Sequence, residues 1–302
     1  MLFCHAERRL VVHAPAKLNL FLEIHRRRDD GFHEIESVLV SVGLYDSLAF
    51  ADRPSADDDS EAVRLRCRRA DSSGVDDCPT GAENLVVRAA ELLRRHAGMR
   101  RGVGIELIKR IPVAAGLAGG SSDAAATLAG LNRWWKLRLS AAELQRLAGE
   151  LGSDVPFFLA PSPLAVARGR GEQLEPLRLP AEWHFVVVRP SQGLSTAEVY
   201  RHCRPAESLR RAAPLIDALR HGRIGSVGRQ LHNALQAPAE ALNDQVGQLR
   251  SALAQLGLPG HQMSGSGSAY FGLCANRRQA RSVAARLRAA GAGRVFTVQS
   301  RL

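Results

Sequence analysis

Residues Lys109 to Ala126 read KRIPVAAGLAGGSSDAAA, and the reading of this stretch organises the rest of the chain. Val103, Ile105 and Leu107 alternate with other residues ahead of it, so a strand is expected to end at Pro112. A run of small residues follows, containing Ala114, Ala115, Gly116, Ala118, Gly119 and Gly120. Ser121, Ser122 and Asp123 then open a strong helix former, with a Ser or Asp expected at the N-cap. Small residues let a backbone approach an anion closely, and the free N–H groups and positive end of the helix then face that anion. Pro112 to Ser122 is therefore a candidate phosphate cradle. Its spacing fits neither G-x-x-x-x-G-K-[ST] nor G-x-G-x-x-G. A plain strand-to-helix loop is the alternative.

Working outward, Leu18, Leu20, Leu22 and Ile24 alternate, as do Val63, Leu65 and Cys67, and both runs predict strands. Asn84 to His96 places Leu85, Ala89, Leu92 and Leu93 on one helical face, closed by Gly98. Beyond the cradle, Ser140 and Glu143 form a capping box for a second helix. Strands are expected at His184 to Arg189, Ala269 to Cys274 and Arg294 to Gln299, and helices at Ala239 to Leu256 and Arg277 to Ala289. Strands and helices do not alternate strictly, which predicts an α+β fold in two lobes. The expected division is an N-terminal domain, 1–160, and a C-terminal domain, 161–302.

With 302 residues, 45% hydrophobic and 24% charged, the chain has a globular balance that excludes disordered and fibrous designs. Its most apolar stretch, Val155 to Ala167, is broken by Pro156, Pro161 and Pro163, so no membrane span is expected. The opening MLFCHAERRLVVHAP lacks a long apolar core, and a cytoplasmic location is the expectation. The five cysteines show no C-x-x-C pair and no metal-ligand spacing, and each reads as a small hydrophobe. A net charge of +11 rests on 38 Arg against 3 Lys, and eight arginines follow Asp244 with no further carboxylate side chain. That pattern reads as a solvated basic face or as attraction for a polyanionic small molecule. Asp52 to Asp77, with Asp57-Asp58-Asp59 and Asp76-Asp77, reads as an exposed acidic insertion.

Four further stretches occur in order: APAKLNLFL from Ala14 to Leu22, DGFHE from Asp30 to Glu34, GSDVPFF from Gly152 to Phe158, and MSGSGS from Met263 to Ser268. Together with the cradle they resemble the galactokinase, homoserine kinase, mevalonate kinase and phosphomevalonate kinase superfamily over about residues 12 to 300. Within it the resemblance is to the branch acting on 4-diphosphocytidyl-2-C-methyl-D-erythritol. The resemblance implies a two-lobed fold with the active site in the cleft between the lobes. The implied activity is ATP-dependent phosphorylation of that substrate's 2-hydroxyl, in the non-mevalonate isoprenoid pathway.

By the same resemblance, Asp154 receives the hydroxyl proton and Lys17 supplies positive charge beside it. Phosphoryl transfer has a loose transition state, so placement matters more than the basicity of the carboxylate. The resemblance makes Pro112, Val113, Ala114, Ala115, Gly116, Leu117, Ala118, Gly119, Gly120, Ser121 and Ser122 the ATP triphosphate loop. Lys109 lies beside this loop, Asn84 is expected near the adenine, and Ser122 is expected near Mg²⁺. For the second substrate it implies a cytosine held between aromatic rings, Phe32 and Tyr200, and read by His33. A neutral imidazole can donate and accept along a pyrimidine edge. Asn19 is expected at the alcohol end, Thr196 beside Tyr200, and the loop of Gly265, Ser266 and Gly267 over the site. The expected partner is this small molecule, with no nucleic acid or membrane, in a monomer or weak homodimer. Kinases or decarboxylases of mevalonate-type acids, and a basic nucleic-acid-binding protein on the same fold, are the rival readings.

Three departures stand out. Alanine occupies 114, 115 and 118 where this family commonly has glycine, which costs little unless φ is positive there. Phe32 replaces a common Tyr. Asn233-Ala234 replaces Asn-Asp, which removes an acid.

Overall fold

The computed structural model describes residues 1–6, 9–53, 62–70, 78–178, 180–206 and 208–301. The Asp57-Asp58-Asp59 and Asp76-Asp77 clusters of the expected acidic insertion lie outside the described residues. Packing divides the chain into two compact units, one of 1–16, 44–111 and 118–160, the other of 17–43, 112–117 and 161–302. A single division at residue 160 does not anticipate this interleaving. Its origin lies in two unusually long strands, β2 (Arg9–Arg27) and β3 (His33–Arg53), of 19 and 21 residues. Strands usually run to five or six residues, and these are long enough to join one packing group and then the other.

In the first unit, β1 (Leu2–Ala6) pairs antiparallel with the start of β2. The end of β3 pairs antiparallel with β5 (Gly102–Lys109), which runs parallel to β4 (Val63–Arg69). Leu48, Phe50, Leu65, Ile105 and Leu107 are buried on these strands, as the period-two pattern expects. Three helices complete the unit: α1 (Leu85–His96), α2 (Gly119–Trp134) and α3 (Ala141–Leu151). Gly130 lets α2 lie close against β3, since a Cβ there would sit 2.6 Å from the Phe50 ring. The capping box of Ser140 and Glu143 forms at α3. Gly98 takes a left-handed φ of +60° just past α1.

In the second unit, β6 (Leu164–Gly169) pairs with the start of β3 and with β7 (Gln173–Leu177), all antiparallel. A separate four-stranded antiparallel sheet has the order β10-β11-β8-β12, where β8 is His184–Arg189, β10 Gly260–Met263, β11 Tyr270–Cys274 and β12 Arg294–Gln299. Short elements α4 (Thr196–His202), α5 (Ala213–Arg220), α6 (Ile224–Gln230) and β9 (His232–Asn233) lie between β8 and the later helices. The expected single helix over Ala239 to Leu256 is two, α7 (Gln236–Leu242) and α8 (Asp244–Ala254). Asn243 is extended at φ −152° and caps α8 by accepting from the Gln245 N–H, which stops one helix and starts the next. On α9 (Arg277–Ala289), Ala280, Val283, Ala284 and Leu287 are buried while Arg277, Arg278, Arg281, Arg286 and Arg288 are exposed. Among the described residues no helix is long and apolar enough to cross a membrane.

Candidate functional site

The first unit carries the helix that follows the small-residue run. α2 starts at Gly119, earlier than a Ser or Asp cap allows, and its N-cap is Ala118 in the left-handed conformation (φ 53°, ψ 35°). No side chain caps this end, and Ser121, Ser122 and Asp123 lie within the helix rather than before it. The first N–H groups of a helix have no intrahelical acceptor, and here no side chain competes with an incoming anion for them. The residue identities also follow from crowding. A Cβ on Gly119 would meet Ile111 at 3.0 Å and Lys109 Nζ at 3.1 Å.

Lys109 is buried beneath this turn. Its ammonium donates to Asp46 and, at 2.7 Å, to Asp123 Oδ2. Asp46 accepts in addition from the N–H groups of Arg110, at 2.5 Å, and Ile111, at 2.9 Å. Burial pulls the Lys109 pKa down, but attraction from Asp123 and Asp46 overcomes it and the net direction is upward. Burial pushes Asp123 up and Asp46 adds to it, against the pull of Lys109. Lys109, expected beside the nucleotide, is thus committed to two carboxylates and positions the turn that carries Ser122. The sequence reading missed Asp46. Its signal was parity, because Asp46 shares the inward face of β3 with Leu48 and Phe50, and a buried carboxylate there demands a cation.

Ser122 Oγ and Asp123 Oδ1 are buried without a hydrogen-bond partner. Two unsatisfied oxygens on neighbouring residues near the start of a helix suit a hard cation such as Mg²⁺, so the residues present fit the ion that the resemblance implies. Among the described residues no group of three His, Cys, Asp or Glu side chains could hold a metal.

Asn84 caps α1, accepting from the Val86 N–H at 2.9 Å and donating to Pro79 O at 2.6 Å. Asp154 is half-buried in the turn before the short 3-10 helix Pro156–Leu159, whose Phe157 and Phe158 are buried and anchor it.

In the second unit, Lys17 is only 4% exposed and its Nζ donates to Asn19 Oδ1 at 2.5 Å. Asn19 is held from every side: Nδ2 donates to Ser37 Oγ at 2.9 Å, its N–H to Ser264 Oγ at 3.3 Å, and its carbonyl accepts from Gln262 Nε2 at 2.7 Å. Asn19, expected at the alcohol end, accepts a hydrogen bond from Lys17 and so holds its ammonium. The backbone carbonyls of the 112–117 segment tie it to the serine-glycine loop and to β2. Ser264 Oγ donates to Gly116 O at 3.0 Å, the Ala269 N–H to Ala115 O at 3.2 Å, and the Lys17 N–H to Leu117 O at 3.1 Å.

Glycine is required on both sides of this contact. A Cβ at Gly116 (φ 70°) would fall 2.0 Å from Ser264 O, and one at Gly265 (φ 55°) would fall 3.1 Å from Lys17 Nζ. Ser266 Oγ lies 2.8 Å from Thr196 Oγ1, and Ser268 Oγ donates to Gln192 O at 2.7 Å. Gly267 takes φ 83° between them. Asn233 donates to Met263 O at 2.9 Å and Gly265 O at 2.8 Å, so it shapes the loop without the acid that Ala234 replaces.

Two of the three alanine departures prove costly. Ala114 and Ala118 both take positive φ, at 50° and 53°, where a Cβ costs on the order of 1 kcal/mol. Ala115 carries no such penalty. Pro112 and Leu117 are buried, and Val113 is exposed at 59%.

His33 and Tyr200 face each other, ring centroids 5.1 Å apart and tilted by 38°. Burial, with help from Arg27, holds the His33 pKa below the ordinary 6.5, so the ring is neutral at pH 7. Phe32 is 49% exposed and lies under the Arg170 guanidinium, 4.8 Å from the ring centroid. The sequence reading did not single out Arg170, which has no motif of its own. Tyr200 thus neighbours His33, and Phe32 neighbours Arg170.

Family models for the GHMP kinases N terminal domain and GHMP kinases C terminal match residues 84–161 and 215–293. The chain is 44% identical over 277 residues to 4-diphosphocytidyl-2-C-methyl-D-erythritol kinase of Pelotomaculum thermopropionicum, covering 91% of this chain and 92% of that one. It is 40% identical over 274 residues to the Chlorobaculum tepidum protein of the same name, covering 89% and 90%. A crystal structure of 4-(cytidine 5'-diphospho)-2C-methyl-D-erythritol kinase superposes with a TM-score of 0.79 at 38% identity, covering 96% and 98%. Homoserine kinase from Cytophaga hutchinsonii shares the fold, with a TM-score of 0.75 at 19% identity over 100% and 97%. On these matches the chain belongs to the 4-diphosphocytidyl-2-C-methyl-D-erythritol kinase family of the GHMP kinases.

Proposed function

We propose that the chain transfers the γ-phosphoryl group of ATP to the 2-hydroxyl of 4-diphosphocytidyl-2-C-methyl-D-erythritol, yielding the 2-phosphate and ADP. The observation that carries the choice of substrate is the pair of His33 and Tyr200 rings, 5.1 Å apart. A neutral imidazole beside a phenol ring offers a hydrogen-bonding edge and an aromatic face to a cytosine. Mevalonate-type acids need neither.

The assigned roles follow from the chemistry of each group. The uncapped amides of Gly119, Gly120 and Ser121 take phosphate oxygens at the positive end of α2, and residues 112–117 complete the loop. Asn84 lies on the adenine side. Lys17, held by Asn19, offers a fixed ammonium to the charge spread over the transferring phosphoryl oxygens. Asp154 accepts the proton of the 2-hydroxyl as it leaves. Ser122 would hold Mg²⁺, which when bound neutralises phosphate charge. Phe32 and Arg170 add an aromatic and a cationic surface for the base and its diphosphate.

The test is an ADP-release assay with the cytidine substrate set against mevalonate, phosphomevalonate and homoserine. Turnover with the cytidine substrate alone is expected. Comparable turnover with any of the acids would remove the substrate assignment and leave only a small-molecule kinase.

A further inference from the structure

Two of the five cysteines touch each other. Cys67 lies on β4 in register with Leu107, and Cys78 opens the segment that leads through Pro79 to Asn84. Their thiols are hydrogen-bonded, both are half-buried, and Cys78 Sγ also accepts from Asn84 Nδ2 at 3.6 Å. The Lys109 ammonium acts electrostatically on both. The pair is asymmetric. The hydrogen bond to Cys78 pushes the Cys67 thiol up, with burial adding to the effect. The same bond, assisted by Lys109 and Asn84 against burial, brings Cys78 down to about 7. Thiolate character together with partial exposure is what makes a cysteine reactive toward peroxide, and a second thiol in contact supplies the resolving group.

We propose that Cys67 and Cys78 form an oxidisable dithiol, a modification site that closes to an intramolecular disulfide under hydrogen peroxide and reopens with a dithiol reductant. In the first step the Cys78 thiolate attacks one peroxide oxygen. The O–O bond breaks, the departing hydroxide takes up the thiol's proton as water, and Cys78 becomes a sulfenic acid. The Cys67 sulfur then attacks the Cys78 sulfur, forming S–S as S–O breaks. The second oxygen leaves as water with the Cys67 proton. Two thiols lose two electrons and two protons in all, and the peroxide is reduced to two waters. Reduction by an external dithiol reverses this through a mixed disulfide.

Proteolysis after glutamate tests the proposal on the full chain, because cleavage after Glu61 and Glu83 leaves both cysteines in one peptide, Ala62 to Glu83. After equimolar hydrogen peroxide and alkylation, this peptide is expected unalkylated and lighter by two hydrogen atoms. Treatment with dithiothreitol should restore it, while Cys4, Cys203 and Cys274 remain thiols. In Cys67→Ser, dimedone should capture a sulfenic acid at Cys78. In Cys78→Ser, Cys67 should stay a thiol. Alkylation of both cysteines after peroxide, a disulfide from either to Cys4 or to a second chain, or a sulfenic acid on Cys67 in Cys78→Ser would overturn the proposal. All of these are read by mass, independently of kinase activity.

Discussion

Lys17 Nζ donates to Asn19 Oδ1 at 2.5 Å, and the asparagine is itself fixed by Ser37, Ser264 and Gln262. A buried ammonium whose direction is set in advance needs no reorganisation when charge develops on a phosphoryl group. The residue that reads in sequence as a substrate contact also fixes the cation beside it.

Asn19→Ala should therefore lower kcat more than it raises KM for either substrate. A hydrogen bond to a charged group contributes about 1.5 to 3 kcal/mol, which corresponds to roughly 10- to 100-fold in kcat. Steady-state kinetics of the variant checks it. A change confined to KM for the cytidine substrate would return Asn19 to the alcohol end of the site.

Asp154→Asn should leave both KM values within a few fold and lower kcat by about 10²- to 10⁴-fold, the usual worth of a positioned proton acceptor. Near-wild-type turnover, with circular dichroism showing an intact fold, contradicts the role.

Lys109→Met removes the cation from between Asp46 and Asp123, both buried. Breaking a buried pair from one side typically costs about 3 to 5 kcal/mol, and denaturant unfolding should show a loss of that order. Adding Asp123→Asn should recover part of it, since one fewer charge is then left unpaired. Equal stability of Lys109→Met and wild type would place the ammonium in solvent rather than in this cluster.

Two adjacent loop substitutions should act in opposite directions. Gly116→Ala forces a Cβ to within 2.0 Å of Ser264 O at a φ of 70°, and should cost roughly 3 kcal/mol or more. Ala118→Gly relieves a Cβ at φ 53° and should raise the melting temperature, by up to about 1 kcal/mol of stability. Thermal unfolding of the two variants decides it.

Much of this was legible in the sequence. Period-two runs marked parts of β2, β4 and β5, and Ser140 with Glu143 marked α3, because those signals depend only on local burial and capping. Lys17, His33, Tyr200 and the serine-glycine loop were singled out by motif order, and the fold puts His33 beside Tyr200 and Lys17 beside Asn19. What remained hidden depends on pairs far apart in the chain. Asp46 and Lys109 meet across 63 positions, and Arg170 reaches Phe32 by folding alone. The left-handed φ at Ala118 was also invisible, because alanine does not announce that conformation as glycine does.

His33, His232 and His261 are half-buried with pKa values held below 6.5, chiefly by burial. A base whose folded pKa is depressed takes up its proton more readily when unfolded, so stability is full above about 6.5 and is lost as pH falls below it. In the same range KM for the cytidine substrate should rise, because an imidazolium at position 33 can only donate. His33→Asn should flatten the KM profile. A profile that keeps its shape in that variant would assign the titration elsewhere.

The most direct measurement of the central claim is phosphorus NMR of the reaction product formed from ATP and 4-diphosphocytidyl-2-C-methyl-D-erythritol. The carbon bearing the 2-hydroxyl also carries the methyl group and no hydrogen, so transfer there predicts a new phosphomonoester signal without coupling to a proton on the ester carbon. The diphosphate signals of the substrate should persist beside it, with ADP formed in equal amount. A monoester signal split by carbinol protons, or ADP release with no new monoester, would contradict the account.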